Sequence, residues 1–501
     1  MNGHPLRLRR LGIDTYTDPV IYMSADCHVC RAEGFAARSR VKVTLDSRSV
    51  IATLNVVHGG LLGADEASMS EFAWRMLEAV EGRAVYVSHP QPMASESRLR
   101  AKVYGERLSR ADMDLIIGDI VRGLYSDVHL AAFVTAGAGE GLDEAETIAL
   151  TTAMVAAGER ISWGRPVVAD KHSVGGLPGN RTTPLVVAIV AACGVLIPKT
   201  SSRAITSPAG TADTMEVLAP VELDVAAMRR VVEREGGCVV WGGGVQLSPA
   251  DDILIRVERP LDFDSDGQLV ASVLSKKSAA GASHVVIDMP VGPTAKVRSD
   301  DAARSLARRL QGVGAALGLH VRIERTDGTQ PVGRGIGPAL EARDVLDVLR
   351  NAASAPVDLC QRAVRLAGAV LELAGAAPSD QGGTLARSVL DDGRAWRKFQ
   401  AICAAQGGMR EPPRAPLTHV VYAPMRASVA GIDNRRLARL AKLAGAPLDK
   451  AAGLDLHIRV GGQVERGQPL FTLHAQARGE LAYALDYLER QGSALTLEPV
   501  Q

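Results

Sequence analysis

Aromatic side chains are scarce in this chain of 501 residues, in which Phe, Trp and Tyr together make up 4%. The hydrophobic cores must therefore be built from Ala, Val, Leu and Ile. The sequence also lacks an uninterrupted apolar run of membrane-spanning length, and its basic first ten residues are not followed by the apolar core of a signal peptide. These absences predict a cytoplasmic protein.

The chain also lacks a large net charge of either sign and any strong motif for a metal site or a catalytic nucleophile. A net charge of +1 argues against a nucleic-acid-binding face or a polybasic membrane face. Cys27 and Cys30 have redox or zinc spacing, but no second Cys or His pair stands nearby, so a buried or incidental thiol pair is favoured. We find no convincing Ser-His-Asp or metal-ligand set, and we expect neither a metal nor an organic cofactor.

Lysine is rare as well, with ten lysines among the 57 basic residues. An ammonium is a compact point charge that enters a tight anion pocket where a guanidinium fork would not fit. Half of the lysines fall between residues 170 and 300, which points to such a pocket there, although sampling noise in so small a number is the alternative. These five are Lys171, Lys199, Lys276, Lys277 and Lys296.

Residues 171–183 (KHSVGGLPGNRTT) form the most informative segment. A short apolar run at 166–169 precedes it and a longer one at 184–193 follows, so the order is strand, glycine-rich loop and helix, with Asn180 or Thr182 near the N-cap. Glycines let the backbone approach a ligand, and a helix start offers unpaired N–H groups. The segment predicts an oxyanion site, with phosphate as the favoured anion and a tight structural turn as the alternative. It does not match a Walker loop.

A family resemblance begins at these residues. Residues 171–176 (KHSVGG) resemble the phosphate-binding signature of the thymidine and pyrimidine nucleoside phosphorylases. The wider sequence resembles the archaeal-type AMP phosphorylase branch of that superfamily more closely. The further matching blocks are residues 199–207 (KTSSRAITS), 209–213 (AGTAD), 241–243 (WGG), 249–252 (PADD), 271–277 (ASVLSKK) and 330–341 (QPVGRGIGPALE).

The resemblance and the chain's own periodicity together predict a multidomain α/β protein. Strand-like runs at 41–44 and 50–56 around a helical stretch near 68–81 indicate a β-rich N-terminal domain. The resemblance implies a small all-α domain facing a large α/β domain with a mixed sheet, and the last part is an α+β module similar to the hammerhead of lipoyl carriers. The predicted boundaries are 1–92, 98–163 (completed by about 249–280), 164–411 and 412–501.

The resemblance implies phosphorolysis, in which phosphate attacks C1′ and the base departs through an oxocarbenium-like transition state. Such a reaction needs phosphate held beneath C1′ and donors for the negative charge on the leaving base. His172 would contact the nucleoside, and it is grouped with the catalytic residues. The phosphate ligands carried over by resemblance are Lys171, Ser173, Thr183, Ser201 or Ser202, and Thr211.

For the base, Ser272 and Lys276 match contacts of the pyrimidine enzymes, and the third contact, an arginine, would be Arg256 or Arg259. The AMP branch instead implies Asp264 as a proton donor to N7 of a purine. Arg203 would hold a 5′-phosphate bidentately, with a surface salt bridge as the alternative. The other expected nucleotide contacts are Gly175, Gly176, Ala204, Ile205, Thr206 and Lys296.

The preferred hypothesis from the sequence is phosphorolysis of a nucleoside 5′-monophosphate such as AMP to a free base and ribose 1,5-bisphosphate. The alternative is phosphorolysis of thymidine to thymine and 2-deoxyribose 1-phosphate. Phosphoribosyl transfer and a non-catalytic nucleotide sensor are remote alternatives. The expected partners are these small molecules and further copies of the chain in a homodimer or larger assembly, without nucleic acid or membrane.

Overall fold

The computed structural model describes residues 4–138, 141–204, 207–245, 247–261 and 265–500. The chain divides into two compact units. The first comprises Met1–Gly141 with Ile253–Phe263, and the second comprises Leu142–Asp252 with Asp264–Gln501.

The first unit contains a closed barrel with the strand order β1-β5-β2-β4-β3-β6, in which parallel and antiparallel pairs mix. Its strands are β1 (Leu6–Leu8), β2 (Val20–Ser24), β3 (Arg40–Leu45), β4 (Arg48–Val57), β5 (Glu66–Met69) and β6 (Ala84–Ser88). Its helices are α1 (His28–Glu33), α2 (Glu71–Met76), α3 (Glu96–Val103), α4 (Arg110–Val121) and α5 (Asp127–Ala136).

Burial alternates along β3, as expected for a strand with one face toward the barrel core. Val41, Val43 and Leu45 enter that core, and the intervening residues are less buried. The predicted helix near 68–81 is shorter in the structure. The chain pairs as β5 up to Met69, and Ser70 then caps α2 by accepting from the Ala73 N–H at 3.3 Å. Ser109 caps α4 in a capping box with Asp112.

The second unit carries parallel strands surrounded by helices. Its strands are β7 (Ala169–Ser173), β8 (Ile197–Ser201), β9 (Gly237–Trp241), β10 (His284–Val291) and β11 (His320–Asp327). Its helices up to residue 411 are α6 (Glu144–Ala156), α7 (Thr183–Ala192), α8 (Thr211–Glu216), α9 (Val225–Glu235), α10 (Pro249–Leu261), α11 (Asp266–Ala279), α12 (Asp300–Ala316), α13 (Pro338–Leu349), α14 (Val357–Leu373), α15 (Gly382–Asp391) and α16 (Arg394–Ala405). The last residues of α10 belong to the first unit.

The parallel strands direct their carboxyl ends to one edge. β7 and β11 flank β10, β8 pairs with β9, and the Ala169 N–H donates to the Leu196 carbonyl at 2.8 Å, which joins the two groups. Helix α7 is apolar on all sides and lies within the main core, since residues 183–191 are all buried. The loops at these strand ends are therefore anchored to the best-packed part of the unit.

The C-terminal module is antiparallel. Together with β12 from the preceding region, its strands form the sheets β12-β15-β17-β13 and β16-β14-β18, and its helices α17 and α18 pack beside each other. The bounds are β12 (Gly335–Ile336), β13 (Leu417–Tyr422), β14 (Ala427–Ile432), α17 (Asn434–Leu443), β15 (Gly453–Leu456), β16 (Gln463–Val464), β17 (Pro469–Ala475), α18 (Arg478–Gln491) and β18 (Leu495–Pro499). The four predicted domain boundaries stay a prediction. Within the described residues, no helix has the length and apolar character needed to cross a membrane.

Candidate active site

The end of β7 presents charged and polar side chains to both of its faces. Because successive strand residues point to opposite faces, Asp170 and His172 lie on one face and Lys171 and Ser173 on the other. The strand lies later in the chain than the apolar run at 166–169 predicts, because β7 covers 169–173. Lys171, His172 and Ser173 therefore stand on a strand that is anchored by its pairing with β10.

Lys171 is almost completely buried, with 1% of its side chain exposed. Its Nζ donates to Thr182 Oγ1 at 2.7 Å and lies 4.0 Å from Oδ2 of Asp288 on β10. Burial lowers the pKa of Lys171 to about 8, against the opposing effect of Asp288. Asp288 also accepts from Asn180 Nδ2 at 2.8 Å and from Thr326 Oγ1 at 2.6 Å, so its negative charge is shared and the ammonium is only partly balanced.

The glycine-rich loop after β7 has a conformation that requires glycine. Gly175 and Gly176 have φ angles of +92° and +79°, and a Cβ at Gly176 would lie 2.8 Å from the backbone nitrogen of Lys296. This brings the backbone of Lys296 against the loop, while the residue itself is exposed. The loop returns to Thr182, which is the N-cap of α7, and Thr183 begins that helix as a buried residue.

A second loop leaves the neighbouring strand β8. Ser201 ends this strand, and its Oγ is buried without a hydrogen-bond partner among the described residues. A buried hydroxyl that makes no hydrogen bond is desolvated without compensation, which is costly unless a bound ligand supplies the missing partner. Ser202 is exposed, and Thr211 Oγ1 accepts from Arg181 Nη1 at 3.0 Å. The second loop therefore brings its own hydroxyl groups to the strand ends.

The opposite face of β7 holds a buried ion-pair cluster. Lys199 Nζ lies 3.4 Å from Oδ1 of Asp170, and Lys277 Nζ lies 2.8 Å from Oδ2. Burial lowers the pKa of Lys199 well below its usual range. Since Lys277 belongs to α11, its pair with Asp170 fastens that helix to β7.

His172 lies on the face of this cluster. Its pKa is lowered well below the usual value, first by burial and then by the ammonium groups of Lys277, Lys199, Lys276 and Lys171. A neutral imidazole has one N–H donor and one acceptor nitrogen. His172 can therefore donate one hydrogen bond to a neutral substrate without bringing a charge.

Ser272 and Lys276 lie one turn apart on α11, so their side chains share a face. Lys276 Nζ donates to Ser272 Oγ at 3.0 Å and to the buried Asp251 on α10 at 2.6 Å. Because the ammonium can only donate, the Ser272 hydroxyl proton remains available to an acceptor. The structure thus brings the two predicted base-contact residues into direct contact.

Arg203 differs from its expected role as a free phosphate clamp. Its Nη1 and Nη2 donate to both carboxylate oxygens of Glu216 at 2.9 and 2.8 Å, and Nη2 also contacts Glu222 at 2.9 Å. The guanidinium stacks 4.9 Å from the ring centre of Trp241. The hydrogen bond from Arg203, followed by that from Lys450, lowers the pKa of Glu216 to about 2. The fork of Arg203 is therefore occupied by a carboxylate, which is the salt-bridge alternative.

Several other predicted residues lie elsewhere or outside the described residues. Arg256 belongs to the first unit, where it pairs with Asp18 at 2.7 Å and Asp127 at 2.9 Å. The backbone N–H of Ala204 donates to Asp213 Oδ2 at 2.7 Å. Outside the described residues lie Asp264, Ile205 and Thr206, and with them the side chain of Arg259.

Cys27 and Cys30 are buried free thiols, and the other four cysteines are free as well. Among the residues that the structure describes, no group of three His, Cys, Asp or Glu side chains is arranged to hold a metal ion.

Sequence reasoning missed the acidic residues that organise the site. Asp170, Asp251 and Asp288 are buried beside the lysines, and each stands within a strand or helix rather than in a loop. A charged residue in a buried element needs a partner, so these positions already signalled ion pairs. The concentration of lysines pointed to the partners of these acids, which are Lys171, Lys199, Lys276 and Lys277, but it did not identify the acids themselves.

Comparisons with known proteins decide the family. A model described as "Glycosyl transferase family, a/b domain" matches residues 165–396, one described as its helical bundle domain matches 97–158, and the pyrimidine nucleoside phosphorylase C-terminal domain matches 428–492. A protein of Polaromonas sp. strain JS666, named "Putative thymidine phosphorylase", is 66% identical over 99% of this chain and 97% of its own. The chain belongs to the thymidine and pyrimidine nucleoside phosphorylase superfamily.

Relatives of lower sequence identity carry the same name. Proteins with the same name from Chelativorans sp. strain BNC1 and Legionella pneumophila strain Paris are 59% and 57% identical, over 98% and 99% of this chain and 97% and 96% of theirs. An anthranilate phosphoribosyltransferase structure from Thermus thermophilus shares the fold, with a TM-score of 0.51 and 21% identity over 62% of this chain and 98% of that one. The predicted multidomain α/β class is confirmed, although the ladders that carry the site are parallel. The protein is a pentosyltransferase of the nucleoside phosphorylase type.

Proposed function

We propose that this nucleoside phosphorylase acts on thymidine, converting thymidine and phosphate reversibly to thymine and 2-deoxyribose 1-phosphate. The observation that carries the proposal is the division of β7 into two faces. Lys171 and Ser173 on one face suit an anion, whereas His172 on the other adjoins the donors of α11. The name shared by the close relatives supports thymidine as the nucleoside.

The phosphate would be held at the ends of β7 and β8. Lys171 supplies an ammonium in a buried setting, where a charge acts more strongly than in water. A phosphate oxygen held there would attack C1′ while the bond from C1′ to N1 of the base breaks. The proposed hydroxyl donors are Ser173, Thr183, Ser201 and Thr211, with the exposed Ser202 as the alternative to Ser201.

The electrons of the broken bond remain on the thymine, which leaves as an anion. Ser272 and Lys276 would donate to this charge as it forms, and the neutral His172 would donate its single N–H. The ammonium cluster behind His172 adds a positive potential without placing a proton on the ring. The site can thus stabilise an anionic base without a carboxylic acid.

The AMP hypothesis preferred from the sequence has weaker support. It depends on Arg203 for the 5′-phosphate, and that fork is occupied by Glu216. Among the other marks of that branch, Asp264 lies outside the described residues and Lys296 is exposed. The relatives' shared name favours thymidine as well. We therefore propose the thymidine reaction in its place.

The test is phosphate-dependent release of base from thymidine, uridine, AMP, CMP and UMP, with chromatography of both products. We expect thymidine to be the fastest substrate, with formation of one 2-deoxyribose 1-phosphate per thymine and no turnover when phosphate is omitted. Faster release of adenine from AMP, with ribose 1,5-bisphosphate as the product, would favour the AMP hypothesis. Release of base without phosphate would contradict phosphorolysis.

A further inference from the structure

Arg181 joins the two loops of the candidate phosphate site. Its Nη1 donates to Thr211 Oγ1 at 3.0 Å and its Nη2 donates to the carbonyl of Ala209 at 2.8 Å, where the second loop ends and α8 begins at Thr211. Its Nε donates to Oε2 of Glu341 on α13 at 2.5 Å. Arg181 itself lies at the end of the first loop, directly before the cap of α7. One side chain therefore connects both loops to a third element.

This connection is buried and well paired. The side chain of Arg181 is 10% exposed and that of Glu341 is 1% exposed. Oε2 of Glu341 also accepts from Thr214 Oγ1 at 3.1 Å, and Oε1 accepts from the Gly337 N–H at 3.3 Å. A buried ion pair whose remaining hydrogen-bonding groups are satisfied holds a fixed geometry, and loss of one partner leaves an uncompensated charge. Arg181 therefore has little freedom to move toward a ligand.

The direction of the hydrogen bond to Thr211 is fixed by chemistry. A guanidinium has donors and no acceptor, so Thr211 Oγ1 must accept from Arg181. The hydroxyl proton of Thr211 is then left for another acceptor. Ser173 Oγ accepts from the Asn180 side-chain amide at 3.3 Å in the same way, so the protons of both hydroxyls remain available to an anion.

We propose that Arg181 is a positioning residue of the phosphate site, which orients the Thr211 hydroxyl as a donor to phosphate and holds the two loops together. The proposal rests on the phosphate site of the proposed function. Arg181 does not touch the phosphate. It acts through Thr211, whose place beside the first loop the contact with the Ala209 carbonyl also fixes.

The experiment is a double-mutant cycle with Arg181→Lys, Thr211→Val and the combined variant. Two readouts are used, which are the KM values for phosphate and thymidine and the calorimetric affinity for inorganic phosphate without nucleoside. Lysine keeps the charge but cannot make the three contacts of the fork. We expect Arg181→Lys to weaken phosphate binding about tenfold. Without Arg181 the Thr211 hydroxyl is no longer held as a donor, and loss of its charge-assisted hydrogen bond to phosphate has an effect of this order. The KM for thymidine should change less than about twofold.

The coupling between the two substitutions in phosphate binding distinguishes a positioning role of Arg181 from a merely structural one. If Arg181 acts through Thr211, the combined variant should bind phosphate little worse than Thr211→Val alone, whereas independent effects would multiply. Multiplying effects, or equal losses for phosphate and thymidine, would overturn the proposal. Thr211→Ser keeps the hydroxyl and should retain phosphate affinity within about threefold.

The control is Arg322→Lys. Arg322 pairs with Glu324 and Glu372, both at 2.8 Å, and neither acid belongs to the two loops. This variant should leave phosphate affinity unchanged, and an equal loss in it would overturn the role of Arg181. If Arg181→Lys does not fold, Glu341→Gln replaces it in the cycle, since it weakens the same ion pair without changing Thr211.

The two proposals fail separately. Phosphate binding without thymidine turnover would overturn the proposed function and leave the effect of Arg181 measurable by calorimetry. Normal thymidine turnover with unchanged phosphate affinity in Arg181→Lys would overturn only the role of Arg181. Absence of phosphate binding by the unaltered protein would overturn both.

Discussion

The ammonium of Lys171 donates a 2.7 Å hydrogen bond to Thr182 Oγ1, and this contact closes the glycine-rich loop between the end of β7 and the start of α7. The same ammonium lies 4.0 Å from Asp288, too far for a strong hydrogen bond. Lys171 is thus held by a neutral hydroxyl and only loosely by a carboxylate. A phosphate dianion would be a better partner than either.

Replacing Lys171 with Met should therefore weaken the phosphate half of the reaction. Loss of a full charge in a buried site costs roughly 3 kcal/mol, or about 100-fold in kcat/KM for phosphate. Steady-state kinetics with varied phosphate measure the effect. The control is Lys398→Met, because Lys398 on α16 pairs with Glu235 at 3.1 Å and should have no kinetic effect. Near-normal phosphate kinetics in Lys171→Met would contradict the assigned site.

The lowered pKa of Lys171 predicts a loss of activity at alkaline pH. The charged form binds phosphate, so kcat/KM for phosphate should be constant below the pKa of about 8 and should fall tenfold per pH unit above it. Bound phosphate favours the ammonium, so kcat should persist to higher pH. Profiles corrected for the ionisation of phosphate itself measure both. A flat kcat/KM up to about pH 10, the usual range for a lysine, would show that Lys171 keeps its proton and that burial matters less than its partners.

The strands of the site show what periodicity predicts and what it misses. An apolar run predicts β7 at 166–169, whereas the strand covers 169–173, and the neighbouring strand β8 covers 197–201. Each strand continues into polar residues that are nevertheless buried, such as Lys171 and Lys199. Hydrophobic periodicity cannot identify these buried polar residues, because ion pairs rather than apolar packing compensate for their loss of hydration.

The site residues were predictable to different degrees. The pair Ser272 and Lys276 follows from helical spacing and from the resemblance, and the structure places them in contact. The pairing of Arg203 with Glu216 could not be inferred from the sequence, since thirteen positions separate them and Glu216 stands at the far end of α8. Long-range contacts such as Arg181 with Glu341, 160 positions apart, require the fold itself.

Substitutions on α11 and at Asp264 should distinguish a pyrimidine from a purine substrate. If thymine leaves as an anion, Ser272→Ala and Lys276→Gln should lower kcat for thymidine by about 10- to 100-fold, because their donors act in the transition state. Asp264→Asn should have little effect on the same reaction. Single-turnover rates measure the chemical step directly. A large loss in Asp264→Asn, together with little change in Ser272→Ala, would instead indicate protonation of a purine at N7.

We also expect the active protein to be at least a dimer, since the resemblance implies subunit pairing through the small α-domain. Helices α4 and α5 carry the exposed apolar side chains of Leu115 and Val128. Light scattering at micromolar concentration should give at least twice the chain mass of 52.8 kDa. Val128→Glu should shift the population toward the monomer, whereas Val357→Glu, also at an exposed valine, should not. A fully active monomer would contradict this prediction.

Glu216 should contribute stability that depends on pH. Its pKa is lowered from the usual 4.5 to about 2, chiefly by the hydrogen bond from Arg203, so its contribution is fully present above pH 4.5. That contribution is lost as the pH falls toward about 2, because the carboxyl then takes up a proton and releases both Arg203 and Lys450.

Glu216→Gln should therefore lower the free energy of unfolding at neutral pH by roughly 1–2 kcal/mol, a figure reduced for partial exposure of the pair. It should also flatten the decline in stability between about pH 5 and pH 2. Urea unfolding across this range measures both effects, with Glu465→Gln as the control because its pair with Arg426 at 3.2 Å is well exposed. A decline as steep as that of the unaltered protein would mean that Glu216 does not hold Arg203 in solution. Arg203 would then be held by Asp213 and Glu222 alone.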